Sequence, residues 1–132
     1  AGMVIDSNIF IEHLRAKDKS KTTLRKIPIE QPLFISSVTL YELLMGSTTA
    51  EKWNDAEKAV IGLPILPFDD LIAKKAAKIF LDLKKSNNVI EFRDIFIAAT
   101  VMVHNLTLLT KNSSDFSRIK TLKIIRPEEL NF

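Results

Sequence analysis

Short apolar runs alternate with longer amphipathic stretches along this chain, and that alternation limits its possible folds more than any other feature. Met3–Ile5, Leu33–Ile35, Ile65–Pro67, Thr107–Thr110 and Leu122–Ile125 are brief and rich in β-branched residues. Runs of this kind, with little polar alternation, suit strands buried on both faces. Between them the apolar residues recur at helical spacing. Ile9, Phe10, His13 and Leu14 form one stripe, and Trp53, Ala56, Val60 and Ile61 another. The clearest stripe is Leu71, Ile72, Ala76, Ile79, Phe80 and Leu83, with Lys74, Lys75, Lys78, Lys84 and Lys85 mostly opposite. Asp69-Asp70 suits the start of that helix, as cap and as charge at the positive dipole end, and Asn87-Asn88 suits its stop. The five prolines fall between or at the edges of these elements. Strand–helix alternation implies parallel strands joined by right-handed helical crossovers. The expected architecture is α/β, a three-layer α/β/α sandwich around a mostly parallel sheet of about five strands.

A chain of 132 residues is expected to form a single domain, taken here as residues 3–132. Its hydrophobic share of 46% and charged share of 27% exclude a disordered chain. It has no cysteine, so thiolate metal sites and disulfides are excluded and a reducing cytoplasm is the expected location. No apolar run approaches the ~20 residues of a membrane span, and no signal-peptide pattern opens the chain. Its three glycines, Gly2, Gly46 and Gly62, cannot build a Rossmann fingerprint or a phosphate-cradling P-loop. The net charge of +3 is a weak pointer to nucleic acid. More telling is the cluster Arg15, Lys17, Lys19, Lys21, Arg25 and Lys26, either a solvated helix face or a rim that attracts phosphate.

Four acids stand beside predicted strand ends or helix starts: Asp6 after Met3-Val4-Ile5, Glu42 in Thr39-Leu40-Tyr41-Glu42, Asp94 before Ile95-Phe96-Ile97, and Asp115 after Ser113-Ser114. Each has a structural alternative. Asp6 suits a cap for the first helix. Glu42 has capping-box spacing from Thr39. Asp94 suits a first-turn charge, and Asp115 a cap before Phe116. All four, however, fall near the carboxyl ends of predicted strands, where α/β sheets bind ligands. Carboxylates gathered there repel one another unless a cation neutralises them, and hard cations such as Mg2+ prefer oxygen ligands. His13 and His104, the only histidines, suit packing or surface roles. Phe10, Phe34, Phe80, Phe92, Phe96 and Trp53 are expected in the core, whereas Tyr41 is open as a base-stacking residue.

Ile5-Asp6-Ser7-Asn8-Ile9-Phe10-Ile11, Ser36-Ser37-Val38-Thr39-Leu40-Tyr41-Glu42-Leu43, Asp94-Ile95-Phe96-Ile97-Ala98-Ala99-Thr100 and Leu109-Thr110-Lys111-Asn112-Ser113-Ser114-Asp115-Phe116 resemble the four motifs of PIN-domain ribonucleases. In order and wording they are most similar to the VapC toxins of VapBC toxin–antitoxin systems. The resemblance implies a PIN-like sandwich with Asp6, Glu42, Asp94 and Asp115 as metal-binding, catalytic acids. It gives Ser7, Asn8, Thr110 and Asn112 roles in orienting carboxylates or contacting the scissile phosphate, Ser7 standing where Thr is commoner. The approach Ile90-Glu91-Phe92-Arg93 departs from the pattern: Arg93 is open to dampening metal affinity or to holding a phosphate, and Glu91 to acting as an extra carboxylate.

The function so implied is Mg2+- or Mn2+-dependent endoribonucleolytic cleavage of tRNA or another structured RNA by a toxin. A VapB-type antitoxin and a homodimer are implied with it. Two other classes compete: a non-catalytic PIN-like domain that binds RNA or protein, and an aspartyl-phosphate phosphatase or receiver. The last is disfavoured because Asn8 stands where a phosphatase has a second Asp, and because Asp6 is alone on its strand.

Overall fold

A computed structural model describes residues 2–130; the last two residues of the expected domain, 131 and 132, lie outside the described range. The strands are β1 (Met3–Ile5), β2 (Leu33–Ser36), β3 (Ile65–Leu66), β4 (Thr107–Leu109) and β5 (Ile124–Ile125). They form one sheet in the order β3-β2-β1-β4-β5, with every pairing parallel. All five fall where the apolar runs predict, and β3, β4 and β5 are shorter than their runs. Pro67 closes β3 because it has no amide to donate to a neighbouring strand.

The helices are α1 (Ser7–Arg15), α2 (Thr23–Lys26), α3 (Ser37–Met45), α4 (Ala50–Ala59), α5 (Asp70–Lys85), α6 (Phe92–Val103) and α7 (Ser113–Phe116). They cover both faces of the sheet, and the alternation of strand side chains sorts them. Val4 and Leu108 face one core with Ile72, Ile79, Ile95 and Phe116. Met3, Ile5 and Leu109 face the other with Ile9, Phe10, Leu43 and Ala56. The expected three-layer sandwich is therefore present.

Local capping fixes where the helices begin. Asp69 accepts from the Ile72 amide at 3.0 Å and starts α5, as its sequence suggests. Asn87 takes a φ of 53° just past that helix, the left-handed conformation that asparagine tolerates better than most residues. The capping-box expectation for Glu42 is corrected. Ser36 is the cap of α3, its Oγ accepting from the Thr39 amide at 3.0 Å, and Glu42 lies beyond the first turn, free to point elsewhere. Asp115 likewise lies inside α7, which begins after Asn112, rather than at the cap position.

Two aromatic expectations are also corrected. Trp53 is half exposed on α4, where its indole N–H donates to Glu57 at 2.8 Å, and Phe92 is largely exposed at the start of α6. In the basic segment after α1, Lys19 donates its ammonium to the carbonyls of His13, Leu14 and Ala16. That lysine satisfies the open C-terminal end of α1.

Candidate active site

The two central strands end side by side, and the site is built on those ends. Ile5 of β1 is in register with Leu109 of β4, so the residues that follow them, Asp6 and Thr110, are neighbours. Both are fully buried. Asp6 has two functions at once. One oxygen, Oδ1, accepts from the Ser7 amide at 2.8 Å and caps α1. The other, Oδ2, accepts from the Thr110 hydroxyl at 2.6 Å. Asn8 braces the pair, donating from Nδ2 to Thr110 Oγ1 at 3.3 Å and to Asp6 Oδ2 at 3.4 Å, while its carbonyl accepts from the Lys111 amide at 3.2 Å.

Glu42 approaches from α3 and Asp94 from the first turn of α6, where the helix dipole favours a negative charge. Asp115 stands on α7. The Asn112 amide joins it to the group, donating to Asp94 Oδ2 at 3.4 Å and to Asp115 Oδ2 at 3.3 Å. Asp115 also pairs with Arg118 at 3.7 Å on the outer side.

Arg93 lies at the centre. Its Nε donates to Glu42 Oε2 at 2.6 Å, Nη1 to Asp94 Oδ1 at 2.5 Å, and Nη2 to Asp6 Oδ1 at 2.5 Å and to Ser7 Oγ at 2.6 Å. One guanidinium thus gathers carboxylates from three separate segments, and its planar fork of donors suits that convergence. Burial disfavours its charge, but the bond to Glu42 and the charge and bonds of Asp6 and Asp94 outweigh this, holding its pKa above the ordinary arginine value. Burial also pushes the Asp94 carboxyl above its usual range. Arg93 draws it back down, and the charges of Asp6 and Glu91 add to the rise.

Asp6, Glu42, Asp94, Ser7 and Arg93 are therefore in direct contact with one another or share one partner, and Asn8, Thr110 and Asn112 orient them. Asp115 is attached through Asn112 rather than through Arg93. Glu91, the cap residue of α6, is exposed; its backbone carbonyl accepts from the Asp94 amide at 3.1 Å, and its side chain acts on the Asp94 carboxyl through its charge. Glu12, outside the candidates that the sequence offers, adjoins the site through Lys111, whose amide donates to Asn8. Glu12 accepts from the Thr23 amide at 3.2 Å and pairs with Lys111 at 3.5 Å. Its position one helical turn after Asn8 was the available signal.

The donors can be tested against a divalent ion. Carboxylate oxygens are the ligands Mg2+ and Mn2+ prefer, and they converge on a single cationic point. Glu42 Oε1 is buried and, among the described residues, accepts no hydrogen bond, so one oxygen is left over for a ligand. Among the described residues, however, no three acids stand close enough together to share a metal ion; their spacing is that of a guanidinium. The residues match such an ion in chemical kind, and Arg93 occupies the point on which they converge.

The PIN domain family model matches residues 3–122. This chain belongs to the PIN domain family. The match takes in all four acids. Among characterised relatives, the chain is 31% identical over 121 residues to Ribonuclease VapC10 of Mycobacterium tuberculosis, covering 92% of this chain and 90% of that protein. It is 31% identical over 131 residues to Ribonuclease VapC1 of Rickettsia felis, covering 94% and 95%. It therefore groups with the VapC members of the PIN family. The fold is also similar to the crystal structure of VapBC2 from Rickettsia felis bound to a DNA fragment from its promoter, with a TM-score of 0.79, 21% identity and coverage of 96% and 98%.

Proposed function

We propose that this PIN domain is a metal-dependent endoribonuclease, the toxin of a toxin–antitoxin pair, that hydrolyses phosphodiester bonds of tRNA or another structured RNA in the cytoplasm. The observation that carries the reading is the convergence of Asp6, Glu42 and Asp94, from three distant segments, on one cation at the carboxyl ends of β1 and β4. A structural role needs no such gathering of buried like charge. The names of the VapC relatives support ribonuclease activity.

Asp6, Glu42 and Asp94, with Asp115 at the side, would hold Mg2+ or Mn2+. A bound ion of this kind supplies an activated water nucleophile and polarises the phosphoryl oxygens. The remaining work belongs to the protein. Thr110 and Asn8 fix Asp6 in one orientation. Asn112 keeps Asp115 within reach of Asp94. Ser7 offers a hydroxyl beside Asp6, suited to a phosphate oxygen once it no longer accepts from Arg93. Single-stranded loops of RNA fit this site best, since their bases can be splayed away from the cut.

A cognate VapB-type antitoxin is part of the proposal, supported by the VapBC complex of similar fold. A groove of about 260 Å³, with Ile11, Leu14, Leu43 and Arg15 on its walls, runs up to Glu42 and suits an extended apolar segment of such a partner. The exposed Phe92, Leu81 and Phe68, around a cleft that reaches Phe96, support a homodimer.

The occupation of the acidic cluster by Arg93 is the one observation that favours the alternative, a PIN domain that binds without cutting. Sequencing of RNA 5′ ends after brief expression in cells, with Asp6→Asn as control, separates the two. The nuclease reading expects new ends at a few defined RNA positions that vanish in the variant. Identical end profiles for both proteins would defeat it.

A further inference from the structure

We infer that Arg93 is a displaceable internal counter-ion, which holds the acids together until a divalent cation replaces it and so sets the cation concentration at which the site loads. This rests on the metal-dependent reading above and concerns the regulation of that site.

The placement of Arg93 is specific. Four hydrogen bonds of 2.5–2.6 Å tie it to Glu42, Asp94, Asp6 and Ser7. A guanidinium and a divalent ion cannot both occupy the meeting point of the same carboxylate oxygens, because like charges at that range repel strongly in a partly buried setting. Ion binding therefore requires the guanidinium to leave.

The structure also has room for it to go. Beside Arg93 lies an open cleft of about 490 Å³ lined by Ser37, Val38, Tyr41, Glu42, Met45 and Phe96. Arg93 is on the second residue of α6 and its side chain is a quarter exposed on this side. A rotation about its side-chain torsions carries the guanidinium into the cleft without any backbone change. There it can stack on the exposed ring of Tyr41, its Nε–H released from Glu42.

Two effects follow from the charge balance. Without a divalent ion, Arg93 compensates carboxylates that would otherwise repel one another. In the presence of the ion, the lost ion pairs must be subtracted from the binding energy, so affinity is lower than the carboxylates alone would give.

The test combines Mn2+ calorimetry on the wild type and Arg93→Gln with nitrogen-15 NMR of the Arg93 side chain in the wild type. Arg93→Gln is expected to bind Mn2+ at least tenfold more tightly and to unfold at a lower temperature in EDTA. In the wild type, the Arg93 Nε–H, held by Glu42, is expected to exchange slowly with water and to become fast-exchanging as Mg2+ saturates the site. The NMR arm decides the matter even where Arg93→Gln does not fold without metal. A wild type that binds Mg2+ with the Arg93 signal unchanged, or an Arg93→Gln that binds Mn2+ no more tightly, overturns the inference and leaves the metal site standing. Absence of binding by both proteins overturns the metal site itself, and the inference with it.

Discussion

The Thr110 hydroxyl donates to Asp6 Oδ2 at 2.6 Å across 104 residues of sequence. The contact exists because β1 and β4 pair in parallel with Ile5 opposite Leu109, so each strand delivers its next residue to the same point. Thr110→Val removes the donor and leaves a buried carboxylate oxygen short of a partner. We expect a loss of about 1–3 kcal/mol in denaturant unfolding, recovered by Thr110→Ser. A valine variant as stable as the wild type would mean that Asp6 does not depend on this hydroxyl.

Asn112 bridges Asp94 and Asp115 through one amide. Asn112→Ala leaves the core untouched, so stability is expected to change by no more than about 0.5 kcal/mol. Cleavage of RNA should fall by roughly 100-fold, because Asp115 is no longer held toward the other acids and small misplacements are costly. Full activity in this variant would remove Asp115 from the site.

Ser36 starts the helix that carries Glu42, its Oγ accepting from the Thr39 amide and also contacting the Thr39 hydroxyl at 3.1 Å. Ser36→Ala is expected to cost about 1 kcal/mol by thermal or chemical unfolding, as for other lost caps. No loss would show that α3 is held by packing alone.

A pH effect is expected away from the acids. His13 shares a 2.7 Å hydrogen bond with the Thr22 hydroxyl. Burial, then the charges of Lys19 and Arg25, push its pKa below the ordinary value of 6.5, with Glu12 opposing. As pH falls, the unfolded chain takes up this proton before the folded one does. The contribution of neutral His13 to stability is therefore complete above about pH 6.5 and is lost as pH drops through the lower folded-state pKa. Thermal melts between pH 7.5 and pH 5 should show a steeper loss for the wild type than for His13→Gln. Parallel curves would contradict this.

Much of the fold was legible because its signals are local. Five apolar runs became five strands, and Asp69 and Asn87 bounded α5 by the chemistry of their own side chains. What failed depended on geometry beyond the segment. Glu42 has the spacing of a capping-box acid after Thr39, yet the helix begins one turn earlier, at Ser36, because that residue leaves the strand extended and carries the capping hydroxyl. Trp53 and Phe92 share helical periodicity with core residues, but periodicity alone does not say which positions the rest of the fold covers, and both stay exposed.

At the site, the acids stood at motif positions beside strand ends, so a shared pocket was expected, but not the geometry of their meeting. It depends on strand order and on where α3 and α6 cross the ends of β1 and β4. The central position of Arg93 was even less accessible. In sequence it is only a basic residue beside Asp94, and its bonds to Asp6 and Glu42 span 87 and 51 residues.

The most direct measurement is the anomalous scattering of a crystal of this protein grown with Mn2+. The account predicts a manganese peak within about 2.5 Å of carboxylate oxygens of Asp6 and Asp94, with the Arg93 guanidinium moved toward Tyr41. A crystal saturated with Mn2+ in which Arg93 still bonds Asp6, Glu42 and Asp94, with no peak between them, would contradict it.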